Sequence, residues 1–139
     1  MENLMKTMIR FLRTMMLMPK PWLAWLGSLV FINILIPLYF IHTLEAKVVL
    51  IAIICSMTIM TAIFSAKGFV RLLGIGHIAW VPMIPWLFTS LGEISLDNPF
   101  GYWLLAIIIM NSLTLIIDTI DVIRYIRGER RPYLTLSAE

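Results

Sequence analysis

Residues 102–127, YWLLAIIIMNSLTLIIDTIDVIRYIR, are the last long apolar run of the chain. About 20 apolar residues suffice to cross the hydrocarbon of a bilayer, and this run is longer. Yet it carries Asn111, Thr114, Asp118, Asp121 and Tyr125, at steps of 3, 4, 3 and 4. At roughly 100° per helical residue these five side chains fall within about 80° of arc. They form one polar stripe on an otherwise apolar helix. Polar groups facing lipid are expensive, so such a stripe faces a bundle interior or water. It is either the seam between helices or the wall of a site.

Composition extends this to the whole chain. Of 139 residues, 60% are hydrophobic and 14% charged, with a mean hydropathy of +0.92. Soluble domains carry about a quarter charged residues. The apolar runs are continuous rather than alternating, which selects helices over a membrane barrel. The expected architecture is all-α: a single integral membrane domain over 1–139, a four-helix transmembrane bundle with an amphipathic N-terminal helix. The net charge of +3 comes from lysines and arginines flanking the apolar runs, so it implies no nucleic acid partner. Cys55 is the one cysteine and cannot form an intrachain disulfide or a metal site by itself.

In chain order, residues 2–18 read as an amphipathic helix. Lys6, Arg10 and Arg13 share one face with Glu2, and Leu4, Met8, Phe11, Leu12 and Met15 lie opposite. Such a helix lies in the membrane interface with its basic side toward lipid headgroups, or packs on the protein's own bundle. It lacks the apolar core and the small-residue cleavage site of a signal peptide. Pro19 and Pro21 interrupt it. Four spans follow at about 22–41, 46–66, 72–92 and 102–123, with no internal repeat. Gly128 and Pro132 end the last helix, and 128–139 read as a short, mobile cytoplasmic tail.

The charges between the runs give an orientation. Of the 11 basic residues, 10 fall before the first span, between the second and third, or after the fourth; Lys47 alone falls on the other side, with Glu45, Glu93 and Asp97. By the positive-inside rule both termini are cytoplasmic. Trp22, Trp25 and Tyr125 then mark the inner interface, and Tyr39, Phe40, Tyr102 and Trp103 the outer one.

Depth along the spans groups the remaining polar residues. Asn33 and Asn111 both fall near the midplane, within reach of each other across spans one and four. His77, Asp118 and Asp121 share a depth near the inner surface, with Arg71 and Arg124 close by. One reading makes His77 and Asp118 a protonatable pair in an inward-facing cavity. The other is an interhelical polar clamp, with Asp121 answered by Arg124 or Arg71. Pro82 and Pro85 within span three predict a kink that frees the carbonyls of Ile78 and Val81.

No cofactor or metal is implied. His42 and His77 lie at opposite ends of their spans and cannot ligate one haem. The methionines of the first 18 residues spread around the helix, which suits lipid or packing contact better than copper(I). No nucleophile with a base and no phosphate loop is present, so the chain does not read as an enzyme. Size and span count resemble small drug-exporting proteins of bacterial membranes. That family carries a membrane-embedded glutamate in its first helix, and span 22–41 has no acidic residue, so the family is not assigned. The expectation is a small multi-pass protein of a bacterial inner (plasma) membrane. It acts through protein contacts, as an accessory or scaffold subunit or as a homo-oligomer. The alternative is a small oligomeric proton-coupled transporter or channel using Asp118 and His77.

Overall fold

The N-terminal helix α1, Glu2–Met15, contains neither proline nor glycine and presents three faces. Phe11, Thr14 and Met15 are buried against the rest of the protein. Leu4, Met5, Met8, Ile9 and Leu12 stay exposed, and Arg10 and Arg13 point outward on the third face. The single apolar side expected from the sequence is thus divided between the bundle and the surroundings. Phe11 anchors the docked face, with its ring 5.3 Å from Phe64 and 5.9 Å from Phe69. This computed structural model describes residues 2–132 and 134.

Pro19 caps the next helix and Pro21 lies in its first turn, where a missing N–H costs nothing. The first apolar segment, Lys20–Tyr39, is continuous but not uniform. It runs as α2 (Lys20–Val30), a π turn (Phe31–Leu35) and α3 (Ile36–Tyr39). Within the π turn the Ile36 N–H reaches back five residues to the Phe31 carbonyl. In that register Pro37, which has no N–H, leaves the Ile32 carbonyl without a helical donor. The Trp103 indole N–H fills the gap at 2.9 Å. Trp103 is therefore 3% exposed, turned into the protein rather than toward an interfacial belt.

Helix α4, Leu44–Lys67, begins at Thr43, whose hydroxyl accepts the Ala46 N–H, and carries Glu45 in its first turn and Lys67 in its last. Its buried face is small: Ala46, Val49, Ala52 and Ser56. Small side chains let helix backbones approach closely, which favours association where no water is present to drive it. The long helix α6, Pro99–Ile126, starts from an Asn98 side chain that accepts the Gly101 N–H. It buries Trp103, Leu104, Ile107, Ile108, Asn111 and Thr114 along one face.

The third apolar segment differs most from expectation. Instead of one α-helix, it is a 3-10 turn (Arg71–His77) followed by α5 (Trp80–Leu91), with 41° between them. The break lies at Ile78–Ala79, just before Pro82, and Pro85 sits inside α5. The Ile78 carbonyl, expected to be freed by Pro82, accepts the Val81 N–H at 3.2 Å instead. A tighter i to i−3 bond has replaced the one that proline forbids. The 3-10 turn is wedged between α4 and α6. Two glycines permit that fit. A Cβ on Gly74 would come within 2.9 Å of the Asp118 carbonyl oxygen, and one on Gly76 would clash with Met60 Cγ.

Three helical segments are long and apolar enough to cross a membrane, and the bent pair makes up to four. Their common core joins Leu29, Ile32, Val49, Trp80, Leu87, Leu104 and Ile107. A smaller cluster holds Phe11, Met15, Phe69 and Leu73. The chain beyond α6 returns to it: Leu134 pairs with Phe69 as an isolated bridge and packs there. Of the expected 128–139 tail, residues 133 and 135–139 lie outside the described residues.

Candidate functional site: the polar seam of α6

The stripe on α6 meets three different elements in succession. At its N-terminal end, Asn111 and Asn33 are each fully buried and exchange two hydrogen bonds. Asn33 Nδ2 donates to Asn111 Oδ1 at 3.0 Å, and Asn111 Nδ2 donates to Asn33 Oδ1 at 2.9 Å. Asn33 sits in the π turn, and its amide also donates to the Leu29 carbonyl at 3.1 Å. A carboxamide offers two donors and one acceptor oxygen, and this geometry uses each kind. Removing one partner alone orphans the other inside the bundle. Asn33→Leu or Asn111→Leu is expected to cost about 1–2 kcal/mol, toward the upper end for interhelical bonds in membranes. The double Leu variant should recover part of that loss, and unfolding titrations of the four proteins read the coupling. Additive losses would mean the pair contributes nothing as a pair.

One turn further along α6, Thr114 does not join the network. Its hydroxyl donates to its own helix, to the Met110 carbonyl, at 2.9 Å. Asp118 then meets the 3-10 turn: Asp118 Oδ2 lies 2.7 Å from His77 Nδ1, with the two side chains 16% and 13% exposed. His77 is held from its other side by Trp80, whose rings stack at 4.0 Å and 23°. Trp80 is buried, and among the described residues its indole N–H has no hydrogen-bond partner. Gly74 brings the turn against the α6 backbone at Asp118, which sets the distance from which His77 reaches the carboxylate.

At the C-terminal end of α6 the charges form a chain. Arg71 contacts Asp121 Oδ1 at 2.5 Å and Glu129 Oε2 at 3.1 Å. Arg124 grips both oxygens of the same Glu129, at 3.0 and 2.7 Å. Of the two answers to Asp121 that the sequence allowed, the ion pair is made by Arg71, while Arg124 turns to Glu129. The Arg124 hydrogen bond, with the Arg71 charge beside it, holds the Glu129 carboxyl below the usual carboxylate range. Spacing along the helix gave no signal for Glu129; it enters because the chain turns back at Gly128, where φ is +120°. Tyr125, the last residue of the stripe, lies under Arg130, 5.5 Å from ring centroid to guanidinium, and takes no part in the seam.

Elsewhere, Pro82 and Pro85 lie in α5, after the break that follows His77. Lys6, Arg10 and Arg13 are exposed on α1, away from the seam. His42 is exposed in the turn after α3. Among the described residues, no three His, Cys, Asp or Glu side chains gather closely enough to hold a metal ion. Hollows open on the surface of the described residues, two of them beside the first apolar segment. One, about 1120 Å³, lies between the first apolar segment and α6, over Ala24, Gly27, Ile32, Tyr102 and Trp103. The other, about 440 Å³, lies under α1. Neither includes a residue of the seam. Comparison with known protein families, with curated proteins and with solved structures finds no match to this chain.

Proposed function

We propose that this chain is a small integral membrane protein that works through contacts its spans make with another protein or with further copies of itself. The observation that carries this reading is the closure of the polar seam. Asn111, Asp118 and Asp121 each have a partner within the chain, in Asn33, His77 and Arg71. Side chains used in this way hold helices together, leaving the outward faces as the means of action. Those faces are apolar, with Ile51, Ile54, Ile109, Ile116 and Ile120 all at least half exposed. In this reading the bent pair Arg71–Leu91 is the third of four spans, and no catalytic step is assigned.

The charge distribution supports placing both termini in the cytoplasm of a bacterium, with the spans in its plasma membrane. An impermeant thiol reagent applied to intact cells should then label a cysteine placed at Asp97 but not one at Glu129, in a Cys55→Ser background. The reverse pattern overturns the orientation. The function itself is tested by native mass spectrometry of the full chain extracted gently from its own membrane. A defined complex with another protein, or a homo-oligomer, is expected. A lone monomer overturns the reading.

A second reading rests on the His77–Asp118 contact. A histidine and a carboxylate 2.7 Å apart, at the break of a span, form a pair able to exchange a proton. On that reading the protein is a small proton-coupled transporter or channel. Asp118→Asn in reconstituted liposomes should abolish proton flux while leaving the fold intact. Undiminished flux eliminates this alternative.

A further inference from the structure

The crevice under α1 has features of a lipid site. Its walls come from three elements: Leu4 and Met8 of α1 roof it, Ile34 of the π turn closes one side, and Leu50, Ile54 and Thr61 of α4 line its length. The volume is about 440 Å³. Apolar cavities of roughly 150 Å³ already stay dry and take up hydrocarbon ligands, and this one is larger and nearly all apolar. Leu50 and Thr61 are 11 residues apart, or about 16 Å along the helix, roughly half of a ~30 Å hydrocarbon core. The crevice, centred on α4, is therefore about as long as one acyl chain.

Two polar features sit where the head end of such a chain would be. Thr61 is 2% exposed, and among the described residues its hydroxyl has no hydrogen-bond partner. Its neighbours on α4 behave differently: Ser56 and Thr58 each donate to the carbonyl four residues back. A lipid ester carbonyl is the kind of acceptor the Thr61 hydroxyl lacks. Beyond it, Lys67 ends α4, and Lys6, Arg10 and Arg13 line the outer face of α1, all exposed. Long basic side chains reach headgroup level while their stems stay in apolar surroundings.

We infer that the crevice between α1, the π turn and α4 holds one acyl chain of an anionic phospholipid, with its headgroup at the level of the basic face of α1. The inference rests on membrane placement and goes beyond the protein-contact reading. It gives α1 a definite purpose. The helix is docked to the bundle through Phe11 and Met15, and with Leu4 and Met8 it clamps a lipid against α4.

The test is a titration of the full-length protein in detergent, read by native mass spectrometry, with phosphatidylglycerol or phosphatidylcholine of matched acyl chains. One phosphatidylglycerol per chain is expected, bound about tenfold or more tightly than phosphatidylcholine, given two or three basic side chains near an anionic headgroup. Ile54→Trp, which fills the crevice from an exposed position, should weaken both lipids about tenfold or more, as its bulk takes the chain's place. Leu50→Phe, deeper in the crevice, serves if the tryptophan variant does not fold. Lys6→Gln with Arg10→Gln and Arg13→Gln should remove the preference for phosphatidylglycerol and leave phosphatidylcholine binding in place. Equal binding of the two lipids by the unaltered protein overturns the inference. So does a crevice-filled variant that melts normally and binds as before, or a polypeptide crosslinked to a cysteine at position 54 with no lipid bound. A protein soluble without detergent would instead refute the membrane placement itself.

Discussion

Replacing Trp103 by alanine is expected to lower the stability of the folded bundle by about 3–5 kcal/mol, the range for deleting a buried aromatic side chain. Two losses combine. The indole is 3% exposed, with ring centroids 5.8 Å from Phe40 and 5.6 Å from Phe100, so its removal leaves a void at that end of the helices. It also donates to the Ile32 carbonyl, for which the helix supplies no donor because Pro37 has none to give. Leaving a buried carbonyl unsatisfied costs about 1–3 kcal/mol by itself. Trp103→Phe separates the two, since it keeps most of the ring and removes only the N–H. That variant should lose roughly 1–3 kcal/mol in a detergent–denaturant titration. If Trp103→Phe is as stable as the parent, the indole bond does not hold the π turn.

Adding a single methyl at Gly74 should cost about 1–3 kcal/mol, as over-packing of a close-fitted interior usually does. The Cβ would sit 2.9 Å from the Asp118 carbonyl oxygen and 3.1 Å from its Cα, atoms that belong to the α6 backbone and cannot swing aside. The 3-10 turn must back away, drawing His77 from Asp118 and Arg71 from Asp121. Gly74→Ala should therefore be non-additive with Asp118→Asn, because both dismantle the same contact. Two other glycines serve as controls. At Gly76 the obstruction is Met60 Cγ, close to that residue's own backbone, so Gly76→Ala should cost at least as much. Gly27 has nothing within 4 Å of its would-be Cβ, and Gly27→Ala should be neutral or slightly stabilising. Equal losses at positions 27 and 74 would show that backbone propensity, not close approach, sets the effect.

Much of the seam could be read from the sequence because span length fixes depth. Asn33 and Asn111 are 78 residues apart, yet each lies midway along an apolar run, and both runs are long and apolar enough to cross a bilayer. The same reasoning put His77 beside Asp118 and Arg71 within reach of Asp121. What eluded the sequence is local helix geometry. A 3-10 turn of seven residues, Arg71–His77, and a π turn of five, Phe31–Leu35, are too short for periods of 3.0, 3.6 and 4.4 to be told apart by an apolar pattern. The prolines gave a signal, but an incomplete one. Pro82 announced an interruption without saying that the chain would tighten just before it, and Pro37 did not reveal that Trp103 would come inward to supply a donor. Glu129 escaped because its partners depend on a turn in the chain after α6, which no helical spacing encodes.

The docking of α1 also sets an order of events during synthesis. Phe11 packs on Phe64 and Phe69, which are made more than 50 residues later. At about 5–20 residues per second that gap lasts roughly 3–10 s. Until it closes, α1 has no bundle to dock on, and Phe11 and Met15 are as bare as Leu4 and Met8. The final fold thus requires α1 to give up part of an earlier contact with its surroundings, so the nascent chain presents a wider apolar face than the finished protein does.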